Sequence, residues 1–194
     1  MQSLEENRKG ISINVAVLTV SDSRTIENDK SGKYLIKSVE EEGHKCIERN
    51  IIIDDVNKII KVLRKWIDDK GIDVIIITGG TGITGRDVTP EATLAVGDKE
   101  LPGFGEQMRQ VSLNFVPTAI LSRQTAVIRN STLIINLPGQ PKAIRETLEG
   151  LRDSSGRNVV KGIFAAVPYG IELIGGPLLM LNDEICKAYR PKKK

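Results

Sequence analysis

The run Val74-Ile75-Ile76-Ile77 leads directly into three glycines within four positions, in the segment Gly79-Gly80-Thr81-Gly82. Consecutive β-branched residues are typical of a buried strand. Because glycine has no Cβ, the loop after this strand brings bare backbone N–H groups close to an anion. A carboxylate follows at Asp87, just before the helix start predicted with Thr89 as N-cap. We interpret the segment as a nucleotide site whose phosphate ligand brings a metal with it.

The glycines also fit other sequence motifs, and the context decides between them. Gly80, Gly82 and Gly85 have the G-x-G-x-x-G spacing of dinucleotide folds, but that motif belongs to the first strand and opens its helix at once. No Lys-Ser or Lys-Thr follows the last glycine, so the segment is not a Walker A loop. A plain tight turn remains the alternative. The polar clusters after the other strands favour a phosphate or nucleotide site.

Strands and helices are predicted to alternate along the chain. The predicted strands are residues 11–20, 46–53, 73–78 and 132–137. Helices are predicted from Ser31 to Gly43, from just after Asp55 to Gly71, from Thr89 onward, and over residues 106–115. Two more are predicted from about Lys142 to about residue 151 and over residues 159–174. This alternation predicts one α/β domain over residues 1–194, a three-layer sandwich with a mainly parallel sheet. Residues 1–10 and 190–194 are predicted to be loose tails.

The composition excludes several classes of function. A net charge of +3 and 4% aromatic residues argue against nucleic-acid binding. No apolar run reaches the length of a membrane helix and no secretory signal is visible, so a cytoplasmic location is expected. Cys46 and Cys186 match no metal or redox spacing, and His44 has no catalytic partner in the sequence. A metal at this site should therefore be hard and bound by oxygen.

Polar clusters follow each of the four predicted strands. They are Ser21-Asp22, Asp54-Asp55, the segment from Gly79 to Asp87, and the segment from Pro138 to Lys142. In parallel sheets ligands bind beyond the carboxyl ends of the strands, so these clusters are expected to meet in one crevice. Converging carboxylates repel one another unless a divalent cation lies nearby. Lys142 and the backbone after Pro138 are expected to favour a second anionic group.

Several motifs together resemble the MogA/MoaB family of molybdenum-cofactor biosynthesis, and the bacterial MogA type most of all. They are Thr78-Gly79-Gly80-Thr81-Gly82, Arg86-Asp87-Val88-Thr89-Pro90-Glu91-Ala92, Leu137-Pro138-Gly139-Gln140-Pro141-Lys142, and residues 102–109, 117–123 and 162–169. The residues around Ser21 and Ser31 are somewhat closer to MoaB-type sequences. The resemblance covers nearly the whole chain and implies a molybdopterin-binding fold assembled as a homotrimer.

The resemblance also implies an activity and the residues that perform it. The activity is Mg²⁺-dependent molybdopterin adenylyltransfer, in which the terminal phosphate of molybdopterin attacks the α-phosphate of ATP. Asp55 and Asp87 take the positions of the family's two catalytic and metal-binding aspartates, and the adjacent Asp54 stays open as an alternative. The implied nucleotide and pterin contacts are Ser21, Asp22, Gly79, Gly80, Thr81, Gly82, Ser122, Pro138, Gly139, Gln140 and Lys142.

Two other functions are compatible with the resemblance. One is a non-catalytic molybdopterin carrier or scaffold of the MoaB type, which would not need two costly carboxylates together. The other is a molybdate-inserting enzyme of the related fold. That activity resembles a larger multidomain chain, and 194 residues leave no room for the extra domains. Docking to such an inserting enzyme is a further expected partnership.

Overall fold

The computed structural model describes residues 12–68, 71–179 and 188–191. Eight strands alternate with six helices over these residues. The strands are β1 (Asn14–Val20), β2 (Lys45–Ile52), β3 (Val74–Thr78), β4 (Lys99–Glu100), β5 (Ala126–Arg129), β6 (Thr132–Leu137), β7 (Gly150–Arg152) and β8 (Asn158–Lys161). The helices are α1 (Lys30–Glu41), α2 (Val56–Asp68), α3 (Thr89–Val96), α4 (Pro102–Leu113), α5 (Pro141–Glu149) and α6 (Val167–Leu173). Short 3₁₀ helices lie at Pro117–Leu121 and Ile163–Ala165.

Six of the strands form one mixed sheet in the order β2-β1-β3-β6-β5-β4. The pairs β1–β2, β1–β3 and β3–β6 are parallel, while β5 and β4 continue the sheet through antiparallel pairs. Leu18 of β1 lies opposite Ile77 of β3, which lies opposite Asn136 of β6. The predicted α/β class with a mainly parallel sheet is therefore confirmed.

Each face of the sheet carries its own apolar core, and alternate residues of a strand supply the two cores. Val74 and Ile76 of β3 pack against α1, α4, α5 and α6, whereas Ile75 and Ile77 pack against α2 and α3. Successive side chains of a strand point to opposite faces, so a strand covered on both faces is apolar throughout. This explains the uninterrupted apolar run of β3 and gives the predicted three layers.

The segment after α5 differs from the prediction. Residues 159–174 do not form one helix, because β7 and β8 pair as an antiparallel hairpin and only Val167–Leu173 is α-helical. The β-branched pair Val159-Val160 suits a strand, and Gly162 and Pro168 interrupt a continuous helix. The preceding helix ends at Glu149, since Gly150 has a φ of +87°.

The start of α3 and the segment before β6 also differ from the prediction. Thr89 is the first helical residue and not the N-cap, and its hydroxyl is buried without a hydrogen bond. The helix predicted over 106–115 begins at Pro102. Strand β5 and the 3₁₀ helix before it were not predicted, because neither has a periodic apolar pattern.

Some predictions concern residues outside the described part of the chain. They include the tail 1–10, residues 192–194 and Cys186. The described Arg190 donates through Nε to Glu172 at 2.5 Å, which ties this part of the C-terminal tail to α6. None of the helices in the described ranges combines the length and the hydrophobicity that a membrane span requires.

Candidate functional site

The four polar clusters follow four strands that are neighbours in the sheet, β2, β1, β3 and β6. All four strands run parallel, so their carboxyl ends form one edge. With about 4.8 Å between adjacent strands, this edge is roughly 14 Å wide. The four loops therefore lie side by side along one edge, whose width is that of a ligand of nucleotide size.

The glycine loop after β3 has a conformation that requires glycine. Gly79 and Gly80 have φ values of +96° and +62°, which other L-residues rarely adopt. A Cβ on Gly79 would collide with the carbonyl oxygen of Val20, so the loop lies against the end of β1. The N–H of Thr89 donates to the carbonyl of Gly80 at 3.1 Å and joins the loop to the start of α3.

Asp54 lies directly against this loop. A Cβ built on Gly80 would lie 2.8 Å from Oδ1 of Asp54, so only glycine lets the carboxylate approach so closely. The backbone N–H of Asp54 donates to Oδ1 of Asp22 at 3.4 Å. Partial burial raises the pKa of the Asp54 carboxyl, and the negative charges of Asp22 and Asp87 raise it further. Asp54 is thus one of three carboxylates at the edge whose charges interact.

Asp55 has a different role in the structure. Its Oδ1 accepts the backbone N–H of Lys58 at 2.9 Å, and its carbonyl accepts the N–H of Ile59 at 3.0 Å. These are the bonds of an N-cap residue at the start of α2. The role of Asp55 in the crevice stays a prediction; in this geometry its carboxylate caps α2, and Asp54 lies against the glycines.

Asp87 lies at the other end of the glycine loop. Its Oδ2 accepts the backbone N–H of Thr84 at 3.0 Å and the hydroxyl of the same residue at 2.5 Å. Because these bonds stabilise the charged form, they lower the pKa of Asp87 below its usual value, and the cation of Arg123 contributes in the same direction. Oδ2 would lie 2.8 Å from a Cβ on Gly82, so a second glycine makes room for a carboxylate.

A cavity of about 290 Å³ lies between the ends of β1, β3 and β6. Its lining residues are Thr19, Val20, Ser21, Ser23, Arg24, Asp29, Ser31, Thr78, Gly79, Gly139 and Gln140. The N-termini of α1 and α5 both border it, since Asp29 and Gln140 are their N-cap residues. Helix N-termini favour anionic groups, so the cavity suits a phosphate.

Hydrogen bonds fix the wall of this cavity. The hydroxyl of Ser31 donates to the carbonyl of Gly139 at 2.7 Å, and that of Thr78 donates to Pro138 at the same distance. Both bonds join separate segments of the chain at the end of the sheet. Four of the predicted contacts, Ser21, Gly79, Gly139 and Gln140, thus lie in one cavity, and Pro138 contributes a carbonyl to its support.

The remaining predicted contacts do not line this cavity. Asp22 forms an ion pair with Arg86 and lines a neighbouring cavity of about 280 Å³. Thr81 is buried and accepts the backbone N–H of Arg123 at 3.0 Å through its carbonyl. Lys142 is 79% exposed in its side chain and lies 3.8 Å from Glu146. Ser122 and Lys142 line neither of these cavities.

Residues that the sequence prediction missed hold the crevice together. Asp29 is buried and accepts from the hydroxyl of Thr19 at 2.8 Å, from the N–H of Gly32 at 2.8 Å and from Arg49 at 3.1 Å. Its place just before the predicted helix was the signal for a cap. Nothing in the sequence indicated that Arg49, one strand away, would pair with it.

The carboxylates could provide part of a metal site. Among the residues that the structure describes, no group of three His, Cys, Asp or Glu side chains is placed to hold a metal ion. Asp54 and Asp87 nevertheless flank the same glycine loop. Mg²⁺ in phosphoryl-transfer sites is bound by one or two carboxylates, with substrate phosphates and water as the other ligands. The donor set therefore fits a Mg²⁺ ion that arrives with a nucleotide.

Comparison with known proteins identifies the family of the chain. The family described as "Probable molybdopterin binding domain" matches residues 16–153. A Haemophilus influenzae protein named molybdopterin adenylyltransferase is 58% identical over 146 residues, which are 75% of this chain and 74% of the relative. A Helicobacter pylori protein of the same name is 45% identical over 185 residues, covering 93% of this chain and 98% of the relative.

Solved structures show the same fold. The molybdopterin biosynthesis enzyme MoaB from Thermus thermophilus superposes with a TM-score of 0.72 at 37% identity, covering 86% of this chain and 99% of the other. The molybdopterin biosynthesis Mog protein from Mycobacterium ulcerans gives 0.71 at 30% identity, with coverage of 86% and 99%.

Proposed function

The chain belongs to the molybdopterin-binding family of molybdenum-cofactor biosynthesis, and we propose that it is a molybdopterin adenylyltransferase. An oxygen of the terminal phosphate of molybdopterin attacks the α-phosphorus of ATP. The bond between that phosphorus and the oxygen bridging to the β-phosphate breaks, which gives adenylylated molybdopterin and pyrophosphate. The observation that carries the proposal is the glycine loop flanked by Asp54 and Asp87. The relatives at 45–58% identity that bear this enzyme's name support it.

The reaction requires no protein base. The attacking phosphate is already anionic at neutral pH, so the main barrier is the approach of one anion to another. Oriented amides and cations lower such a barrier. His44, the chain's single histidine, lies just before β2 at the opposite edge of the sheet, which is consistent with this chemistry.

We assign the two substrates to adjacent parts of the crevice. The triphosphate of ATP lies on the glycine loop between Asp54 and Asp87, where the half-buried glycines let an anion approach the backbone closely. The terminal phosphate of molybdopterin enters the cavity bordered by the N-termini of α1 and α5. Gly79 lines this cavity and also begins the loop, so the two anionic groups meet there.

Mg²⁺ is the proposed cofactor, and Asp54 and Asp87 are the residues that hold it. When bound, it neutralises charge on the phosphates during the transfer. Partial burial raises the pKa of Asp54, and the negative charges of Asp22 and Asp87 raise it further, a repulsion that a bound cation would offset. Asp54 replaces Asp55 in this role, because the Asp55 carboxylate already caps α2.

A homotrimer is the proposed assembly. Its support in this chain is a set of exposed apolar side chains at the end of α4 and in the following 3₁₀ helix, namely Leu113, Phe115, Val116, Ile120 and Leu121, of which Ile120 is 69% exposed. Exposed apolar surface, where it is contiguous, marks protein interaction sites. A cytoplasmic location and docking of the molybdate-inserting enzyme complete the proposal.

Incubation with molybdopterin, ATP and Mg²⁺ tests the activity. We expect adenylylated molybdopterin and pyrophosphate to form in equal amounts with the wild-type protein. Asp87→Asn should retain its fold and pterin binding but lose the transfer. If the wild-type protein binds molybdopterin and releases no pyrophosphate, it is the non-catalytic carrier and the proposal is wrong.

A further inference from the structure

Arg123 makes four polar contacts to the glycine loop and the helix that follows it. Its backbone N–H donates to the carbonyl of Thr81 at 3.0 Å. Its guanidinium donates through Nε to the carbonyl of Gly82 at 2.6 Å and through Nη2 to the carbonyl of Asp87 at 2.5 Å. The third nitrogen, Nη1, pairs with the carboxylate of Glu91.

These contacts connect the glycine loop to Asp87 and to the first turn of α3. Gly82 is the position that makes room for the Asp87 carboxylate, and Arg123 binds the backbone carbonyls of both residues. A planar guanidinium offers several donors in a fixed geometry, which an ammonium group cannot reproduce. The arginine therefore sets the distance between the loop and the Asp87 backbone.

The backbone around Arg123 is itself held from α4. Nη1 of Arg109 donates to the carbonyls of Ser122 and Gln124 at 3.2 Å each. A Cβ on Gly105 would collide with the carbonyl of Gln124 and lie 3.1 Å from the Arg109 guanidinium, so the helix approaches this segment closely. The two arginines thus connect α4 to the glycine loop.

We propose that Arg123 is a positioning residue for adenylyl transfer, which holds the loop amides and the Asp87 carboxylate in place for the triphosphate of ATP. The inference rests on the proposed function, because it assigns a role at the same site. None of the four contacts of Arg123 described above involves a residue that lines the cavity assigned to molybdopterin. Its loss should therefore affect the ATP-dependent step and leave pterin binding unchanged.

The test compares Arg123→Ala with Arg129→Ala. Arg129 is a matched control, since it also pairs with a carboxylate, that of Asp98, but lies on β5. We expect Arg123→Ala to lose about 100-fold in kcat/KM for ATP, the order of effect of a small misplacement of reacting groups. Methylguanidine should restore part of the lost kcat in Arg123→Ala, and the Kd for molybdopterin should match that of Arg129→Ala.

A second variant keeps the test decisive if Arg123→Ala folds poorly. Glu91→Gln removes only the outer ion pair and should give a smaller loss of the same kind, in ATP turnover and not in pterin affinity. Equal kcat/KM in the Arg123→Ala and Arg129→Ala variants would overturn the inference. So would a loss that tracks the unfolded fraction and shows no response to methylguanidine. A wild-type protein without adenylyl transfer would instead refute the proposed function itself.

Discussion

Gly82→Ala tests how closely the loop and the Asp87 carboxylate are matched. The φ of Gly82 is not positive, so alanine adds no backbone strain, but its Cβ would lie 2.8 Å from Oδ2 of Asp87. Since carbon and oxygen rarely approach within about 3.3 Å, the carboxylate must move by about 0.5 Å. Asp87 is held by the N–H and hydroxyl of Thr84, so this movement weakens both bonds.

The expected cost appears in activity more than in stability. Replacing glycine by alanine at a compatible φ stabilises a protein by about 0.4–1 kcal/mol through the unfolded state. Partial weakening of the two bonds from Thr84 costs about as much as the loss of one hydrogen bond, roughly 0.5–1.5 kcal/mol, so the gain and the cost nearly cancel. We expect an unchanged unfolding midpoint. A displacement of half an ångström should lower turnover about tenfold, given that 1 Å can cost about 100-fold.

Gly85→Ala is the matched control in the same loop. An added Cβ there has nothing within 4 Å, and its φ is not positive. This variant should keep full turnover and gain about 0.4–1 kcal/mol of stability. The assay is release of pyrophosphate under saturating substrates, with thermal unfolding measured on the same samples. Equal turnover of the two variants would refute the proposed match between Gly82 and Asp87.

Three further predictions concern the carboxylates. The pKa of Asp54 is raised in the folded protein, so stability is lost as the pH rises through that pKa and the carboxyl ionises. Asp54→Asn removes the charge and should therefore raise the unfolding midpoint at pH 7. A lower midpoint would contradict this. Turnover should fall on the acid side as Asp54 is protonated, and Asp22→Asn should move this limb of the pH profile to lower pH by removing a charge that raises the pKa. An unmoved limb would exclude Asp54 as its source. Asp29→Ala should lower the free energy of unfolding by about 3 kcal/mol, because it leaves the Arg49 cation and the hydroxyl of Thr19 without their buried acceptor. Chemical denaturation measures this loss, and a change no larger than that of an exposed substitution would contradict it.

Strands with a continuous apolar pattern could be predicted from the sequence. Strand β6 lies where its apolar pattern placed it, and β3 differs from the prediction by one residue. The hairpin of β7 and β8 could not be predicted, because Val159-Val160 is compatible with helix or strand over such a short span. Tertiary pairing with Gly150–Arg152 decides it.

The candidate site could be located but not resolved to single residues. The four strand exits were sufficient to place it at one edge, since parallel strands end together. The choice between Asp54 and Asp55 depends on where α2 begins, and a boundary shift of one residue exchanges the crevice carboxylate with the N-cap. Arg123 lies 41 residues after Gly82, to which it donates. A contact over this separation leaves no periodic pattern in the sequence, so it could not be predicted.

The most direct test of the site is turnover of Asp54→Asn and Asp55→Asn measured side by side with molybdopterin, ATP and Mg²⁺. Asparagine is also a good N-cap residue, so Asp55→Asn should preserve α2 and keep nearly wild-type turnover. Asp54→Asn should lose turnover by about 100-fold to 1,000-fold, as removal of an electrostatic stabiliser does. The reverse order, with Asp55→Asn inactive and Asp54→Asn active, would contradict the account.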